Sequence, residues 1–286
     1  MRFTVQHIRN GALCIGLVIP VWFFFVTPAL LSIPSNFSYR ADIDSHDNFY
    51  DESKGQYSGK IKSKTQFYYE VVSKQEHILL VKNVFDVRKP TGERIFSVER
   101  LYGIDPKTGK HVEAFGDENR SGYLFAPRHV KKGQDFTYWH INYDAPALMK
   151  FTGEENILGL KVYRYEAAYM VDQTKNLGTL PGVPDKRGVN LDIDLKTWVE
   201  PVTGRMIKYQ DATTAYFYDS KTKQRLHPWN QFGNTLTDAS VADQVRITRF
   251  EIFKTRFIEN IVPIFFGLVS VVLLVISFKQ NKSTSV

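Results

Sequence analysis

Tyr138–Asp144, reading YWHINYD, packs two tyrosines, a tryptophan, a histidine and an acid into one short stretch. Such a cluster can present stacking faces and polar tips to a ligand, or bury itself as an aromatic core whose tips find partners, which is the commoner outcome. Leu160–Met170 places Tyr163, Tyr165 and Tyr169 at alternating positions, opposite Leu160, Val162, Arg164 and Glu166. Alternation puts the three tyrosines on one face of a strand, as pocket wall or as sheet packing. Tyr138, Trp139, Tyr163, Tyr165 and Tyr169 are therefore the candidate ligand-binding residues. Ala41–Glu52, ADIDSHDNFYDE, offers Asp42, Asp44 and Asp47 as hard oxygen ligands for a cation, without the glycine and terminal glutamate of an EF-hand loop.

Other chemistry finds little footing. No Gly-x-Ser-x-Gly, P-loop, dinucleotide fingerprint or His-Glu-x-x-His occurs, and the seven histidines form neither a His-x-His nor an i, i+4 pair. No enzyme activity, cofactor or zinc site is expected. The one cysteine, Cys14, lies in an apolar run, which excludes an intramolecular disulfide framework. The formal charge is +7, but Arg2, Arg9, Lys279 and Lys282 sit in the two tails, leaving 33 basic against 30 acidic residues in the middle. That mixture lacks the clustered basic face of a nucleic-acid binder, so no nucleic-acid partner is expected.

The elements that must position these residues are framed by two uncharged stretches, 11–31 and 261–278. At roughly 1.5 Å per residue each can cross a hydrocarbon core of about 30 Å as a helix. Pro20 and Pro28 fall inside the first, where a kink is tolerated. The first run is longer than a signal-peptide core, and it leaves through ALLSIP, a poor cleavage site, so an uncleaved anchor is expected. Basic residues before it predict a cytoplasmic amino terminus, hence tails 1–10 and 279–286 inside and residues 32–236 as an extracytoplasmic domain. Arg246, Arg249, Lys254 and Arg256 just before the second span run against that orientation, yet long loops translocate largely regardless of charge.

Between the spans the chain reads as strand after strand. Val189–Val199 alternates cleanly, with Val189, Leu191, Ile193 and Leu195 on its dry face; His77–Val87 is apolar enough to be buried on both sides. Turns such as DPKTGK at 105–110, EPVTGR at 200–205 and the weaker DSKTK at 219–223 predict antiparallel hairpins. Two long loops, 121–133 with a basic tip and 173–188 rich in proline and glycine, are expected to be functional or mobile. Residues 237–260 predict an amphipathic helix leading into the second span, with Phe250, Phe253 and Phe257 along one stripe for the domain or the membrane surface.

The runs VFDVR, IFSVERLYGIDPKTG, GYLFAP, FTYWHINYDAP, VYRYEAAY and LDIDLKTWVEPVTG resemble the porin PorA-like family of bacterial envelope proteins. The likeness covers most of the middle and implies an apolar span at each end; it brings no catalytic residues. The WVEPVTG turn is also similar to one in half-barrel lipoprotein carriers, an analogy that points toward lipid. The expected fold class is mainly β: an antiparallel β-rich external domain flanked by two transmembrane helices, with the amphipathic helix before the second. The expected function is a two-pass membrane protein in contact with the lipid bilayer, whose external domain binds a ligand, such as an envelope lipid, or a protein partner. A porin-like pore and a scaffold for an envelope complex are the alternatives.

Overall fold

The structure, a computed structural model, describes residues 5–174 and 187–283. The greater part of the 173–188 loop lies outside the described residues. The chain divides into two compact units: Ile33–Arg249, and the two terminal segments up to Ser32 and from Phe250.

The larger unit is a sheet of twelve strands: β1 Ser38–Asp51, β2 Gln56–Tyr57, β3 Ile61–Gln75, β4 Ile78–Arg88, β5 Arg94–Ile104, β6 His111–Gly116, β7 Phe136–His140, β8 Ala145–Ile157, β9 Leu160–Asp172, β10 Arg187–Val199, β11 Met206–Asp219 and β12 Arg225–Leu236. Their order is β6-β5-β4-β3-β1-β12-β11-β10-β9-β8-β7, with β2 attached to β1. Neighbours along this path pair antiparallel. The turn chemistry explains why. In 105–110 the Asp105 N–H donates to Lys110 O at 2.9 Å and Gly109 N–H to Asp105 O at 2.8 Å, while Thr108 Oγ1 donates to the Asp105 carboxylate at 2.8 Å. Glu200–Arg205 and Asp219–Gln224 repeat the pattern, with Lys223 holding a positive φ of 61° where the other two turns use glycine.

The two ends of this path meet. Tyr123 bridges antiparallel to Lys110, next to β6, and parallel to Tyr138 in β7. Its N–H donates to Thr137 O at 2.9 Å, its carbonyl accepts from Trp139 N–H at 3.1 Å, and His111 N–H donates to Gly122 O at 2.9 Å. The sheet therefore closes into a barrel through Tyr123. Gly122 is required there: its φ is +78° and a Cβ would come within 2.5 Å of Thr137 O. The 121–133 segment is thus a structural closure, with Leu124, Ala126 and Val130 buried and His129, Lys131, Lys132 and Gly133 at its exposed tip.

Inward positions form the core and outward positions carry charge. β10 buries Val189, Leu191, Ile193 and Leu195 and exposes Asp194 and Lys196. β4 buries Ile78, Leu79, Leu80 and Val81 consecutively, as a strand covered on both faces must. β9 differs from a simple two-faced strand, because Leu160 and Val162 are buried as well as Tyr165 and Ala167.

Helices are α1 Val5–Val21, α2 Thr27–Leu30, α3 Asp238–Arg256 and α4 Val262–Ser283. Thr237 caps α3 by accepting the Ser240 N–H at 3.2 Å. Its first turns bury Val241, Gln244, Val245 and Thr248, the i, i+3, i+4, i+7 set of a docked helix face. Gln244 donates to Arg40 O at 3.1 Å and Asp42 N–H donates to Ser240 Oγ at 2.8 Å. Phe250, Phe253 and Phe257 remain exposed.

In the smaller unit α1 pairs with α4. Ser270 Oγ donates to Ala12 O at 2.8 Å, and Trp22 Nε1 to Ile258 O at 2.8 Å. Single π turns occur at Trp22–Val26 and Phe257–Ile261. Each contains the residue four before a proline, Phe24 for Pro28 and Glu259 for Pro263, where a proline ring would strike the helix carbonyl. The stretches Gln6–Leu30 and Asp238–Lys279 are long and apolar enough to cross a membrane.

Candidate functional site

The barrel interior has two halves. In one, Tyr39, Phe67, Tyr69, Tyr102, Tyr138, Tyr165 and Tyr209 are each no more than 1% exposed and fill the lumen. Phe67 lies 5.6 Å from Tyr209 and 5.8 Å from Phe85, ring centre to centre. In the other half the inward positions of β1 and β3 become small, as Ser45, Ser63 and Thr65, and a cavity of about 400 Å³ opens. Phe85, Val87, Phe96, Val98, Trp229 and Phe232 make its apolar wall. That volume is in the range of small-molecule sites, which are likewise mostly apolar with a few placed polar groups.

A buried polar lattice separates the halves. Asp211, 2% exposed, accepts from Tyr209 Oη at 2.6 Å, Asn142 Nδ2 at 2.9 Å and Tyr143 Oη at 3.1 Å on one oxygen. Its other oxygen accepts from Asn234 N–H at 2.9 Å and Nδ2 at 2.8 Å. Burial raises the Asp211 carboxyl, and these donors pull it back. His140 lies between Tyr169 and Tyr209. Since the Tyr209 hydroxyl is given to Asp211, His140 Nε2 must donate to Tyr209, and Nδ1 accepts from Tyr169. Burial pushes the imidazole down to about 3, so it is neutral and its 3.7 Å approach to Asp211 is no ion pair.

A second cluster closes the cavity near the seam. Arg120, 4% exposed, grips Asp144 through two bonds, Nε to Oδ1 at 2.8 Å and Nη2 to Oδ2 at 3.1 Å, and also pairs with Asp117. Its guanidinium lies 4.5 Å from the Tyr102 ring centre. Burial would lower the Arg120 pKa, but the bonds to Asp144 and Asp117 raise it instead. Arg100 approaches Asp144 at 3.7 Å and donates to Ile141 O at 2.9 Å. Burial acts to raise the Asp144 carboxyl; Arg120, Arg100 and Trp139 together hold it below its ordinary value.

None of the five aromatic candidates lines the cavity. Tyr138 and Tyr165 belong to the filled half. Trp139 donates to Asp144 at 2.8 Å, behind the cavity, and Tyr169 is bonded to His140. Tyr163 is half-buried, 5.4 Å from Phe151. Strand alternation parts the three aspartates: Asp42 and Asp44 are exposed on the outer face, whereas Asp47 turns inward to the cavity and accepts from Asn230 at 2.8 Å. Among the described residues no group of three or more His, Cys, Asp or Glu gathers as a metal site. The cavity wall was missed because its residues read only as strand; the usable signal was the drop in size along β3, from Tyr69 and Phe67 to Thr65 and Ser63.

Residues 118–278 match the family model of Porin PorA, more than half of the chain. The chain belongs to the porin PorA family. The matched region runs from the Arg120 segment through β7–β12 to α4, and so holds the polar lattice and Trp229 but not β3–β5. No curated protein matches it. Among solved structures this PorA-family chain is similar to a Bacteroides fragilis protein with a YmcC-like fold, at 9% identity and a TM-score of 0.23, over 72% of this chain and 99% of that one.

Proposed function

We propose that this PorA-family protein is a membrane-anchored binding protein whose β domain captures one apolar or amphipathic molecule, such as an envelope lipid. The observation that carries the reading is the hollow, aromatic-walled half of a barrel whose other half is filled. In this reading the helices anchor the chain in the cell membrane, both termini are cytoplasmic, and the domain stands in water outside and performs no reaction. The basic amino-terminal tail supports the orientation.

The family's name attaches to a pore, and the closure of the barrel favours that second reading. Two observations weigh against it. Seven aromatic side chains occupy the lumen. The outward positions Asp42, Asp44, Lys62, Lys64, Asp194 and Lys196 are exposed charges, where a lipid-facing barrel needs an apolar band. Arg or Lys at the bilayer midplane costs about 2–4 kcal/mol each, Asp or Glu less.

The full chain, extracted gently and examined by native mass spectrometry, is expected to carry one co-purified amphiphile. Val98→Trp, which fills the cavity, is expected to remove it. In planar bilayers the same preparation is expected to show no discrete conductance steps. Reproducible steps, or an empty wild-type protein, would reject the binding reading.

A further inference from the structure

Two residues that line the cavity each hold a buried polar atom with no hydrogen-bond partner among the described residues, Ser63 Oγ and Asn142 Oδ1. Ser63 is 4% exposed, so its hydroxyl is withdrawn from bulk water. The orientation of Asn142 is fixed, because Nδ2 donates to Tyr209 Oη at 2.8 Å and to Asp211 at 2.9 Å; a flipped amide would set its oxygen against the carboxylate. A buried polar atom left without a partner costs about 1–3 kcal/mol, which a ligand can recover.

The charges around the cavity have a clear sign. Its lining holds two cations, Arg100 and Arg120, against the carboxylates Asp47, Glu99, Asp117, Glu118 and Asp144. Both guanidinium groups are committed to Asp144 and to backbone carbonyls, so neither stands ready for an incoming acid. Glu99 is satisfied by Lys82 at 3.0 Å, while the exposed Glu118 and the inward Asp47 add acceptors at the polar end. An anionic head placed there would meet like charge in a partly desolvated site.

We infer that the cavity selects an amphiphile whose polar end donates hydrogen bonds and carries no negative charge. Hydroxyl-rich and ammonium heads share that chemistry; carboxylates and phosphates lack it. The inference rests on the binding reading above and specifies its ligand. The tail lies along Phe85, Val87, Phe96 and Val98, and the head meets Ser63 and Asn142.

The test compares three probes with the same tail, octyl glucoside, octylamine and octanoate, on the full chain in lipid nanodiscs at neutral pH. The readout is the part of the tryptophan fluorescence change that Trp229→Phe abolishes, since Trp229 lines the cavity. The glucoside or the amine is expected to bind about tenfold more tightly than octanoate, one hydrogen bond's worth of discrimination. Which of the two leads tells a hydroxyl head from an ammonium head. Ser63→Ala is expected to weaken the leading probe about threefold or more, and Glu118→Lys, at an exposed position, to narrow the gap between that probe and octanoate. Octanoate binding as tightly as the others would overturn the head-group inference and leave the cavity's binding role standing. Silence from all three probes would overturn both.

Discussion

β3 crosses both halves of the barrel, and its inward side chains differ in size at each end: Phe67 and Tyr69 pack among other rings, whereas the small Ser63 and Thr65, equally buried, line the cavity. The backbone is one strand, paired to β1 over 61–70 and to β4 over 64–75. Hydrogen bonding holds neighbouring strands about 4.8 Å apart, so a closed ring cannot shrink around small residues as a helix pair can. The filled half fixes the circumference, and the other half stays hollow wherever its inward residues are small. The cavity is thus a consequence of side-chain size on a frame set elsewhere.

The largest effects are expected in the filled half and in the polar lattice that bounds it. Phe67→Ala would leave a void between Tyr209 and Phe85, at a cost of about 3–5 kcal/mol. Asp211→Ala would orphan the donors of Tyr209, Tyr143, Asn142 and Asn234, with a loss of about the same size. Denaturant unfolding of the full chain, followed by tryptophan fluorescence, measures both. A loss below about 1 kcal/mol in either would mean that this half does not set the frame.

Acid separates the halves next. His140 and His111 are both pushed down to about 3, chiefly by burial, against about 6.5 in an unfolded chain. Between those values the unfolded chain takes up protons that the folded chain refuses, so stability falls as pH drops from 6.5 toward 3. The slope is about 1.4 kcal/mol per pH unit for each histidine. Asp211, raised by burial, acts in the opposite sense and gains stability as pH falls through its folded pKa. His140→Gln is expected to take about 1.4 kcal/mol per pH unit off the acid slope toward pH 5; an unchanged slope would show that this imidazole is not held neutral.

Much of this frame was legible in the chain. The turns at 105–110, 200–205 and 219–224 carry their chemistry in a few residues, and β10 alternates without interruption, so hairpins and faces followed from local physics. Seam closure was not, because it runs through single bridges made by Tyr123, a loop residue with no strand pattern around it. Nor was the site. Tyr138 and Tyr165 attracted interest by their type, but large rings at inward positions are what fills a lumen, and a binding space is marked by the small residues that leave it open. Ser63 and Thr65 look unremarkable until their strand is set between β4 and β1, with β5 and β12 next along the cavity wall.

The smallest expected effect is the one that defines the hollow half. Ser63 is buried, its hydroxyl has no partner among the described residues, and it faces the cavity. Ser63→Val removes an unsatisfied polar atom and adds two methyl groups at a residue that lines the cavity. The unsatisfied group costs about 1–3 kcal/mol, and burying methyls contributes about 0.8 kcal/mol per carbon, offset by whatever contact they fail to make across the gap. Stability is therefore expected to stay within about 0.5 kcal/mol or to rise by about 1 kcal/mol. Phe67→Ala, four residues along the same face, loses several times that. A destabilisation by Ser63→Val comparable to that of Phe67→Ala would show that Ser63 has packed surroundings and a partner, and the contrast between the two halves would fall with it.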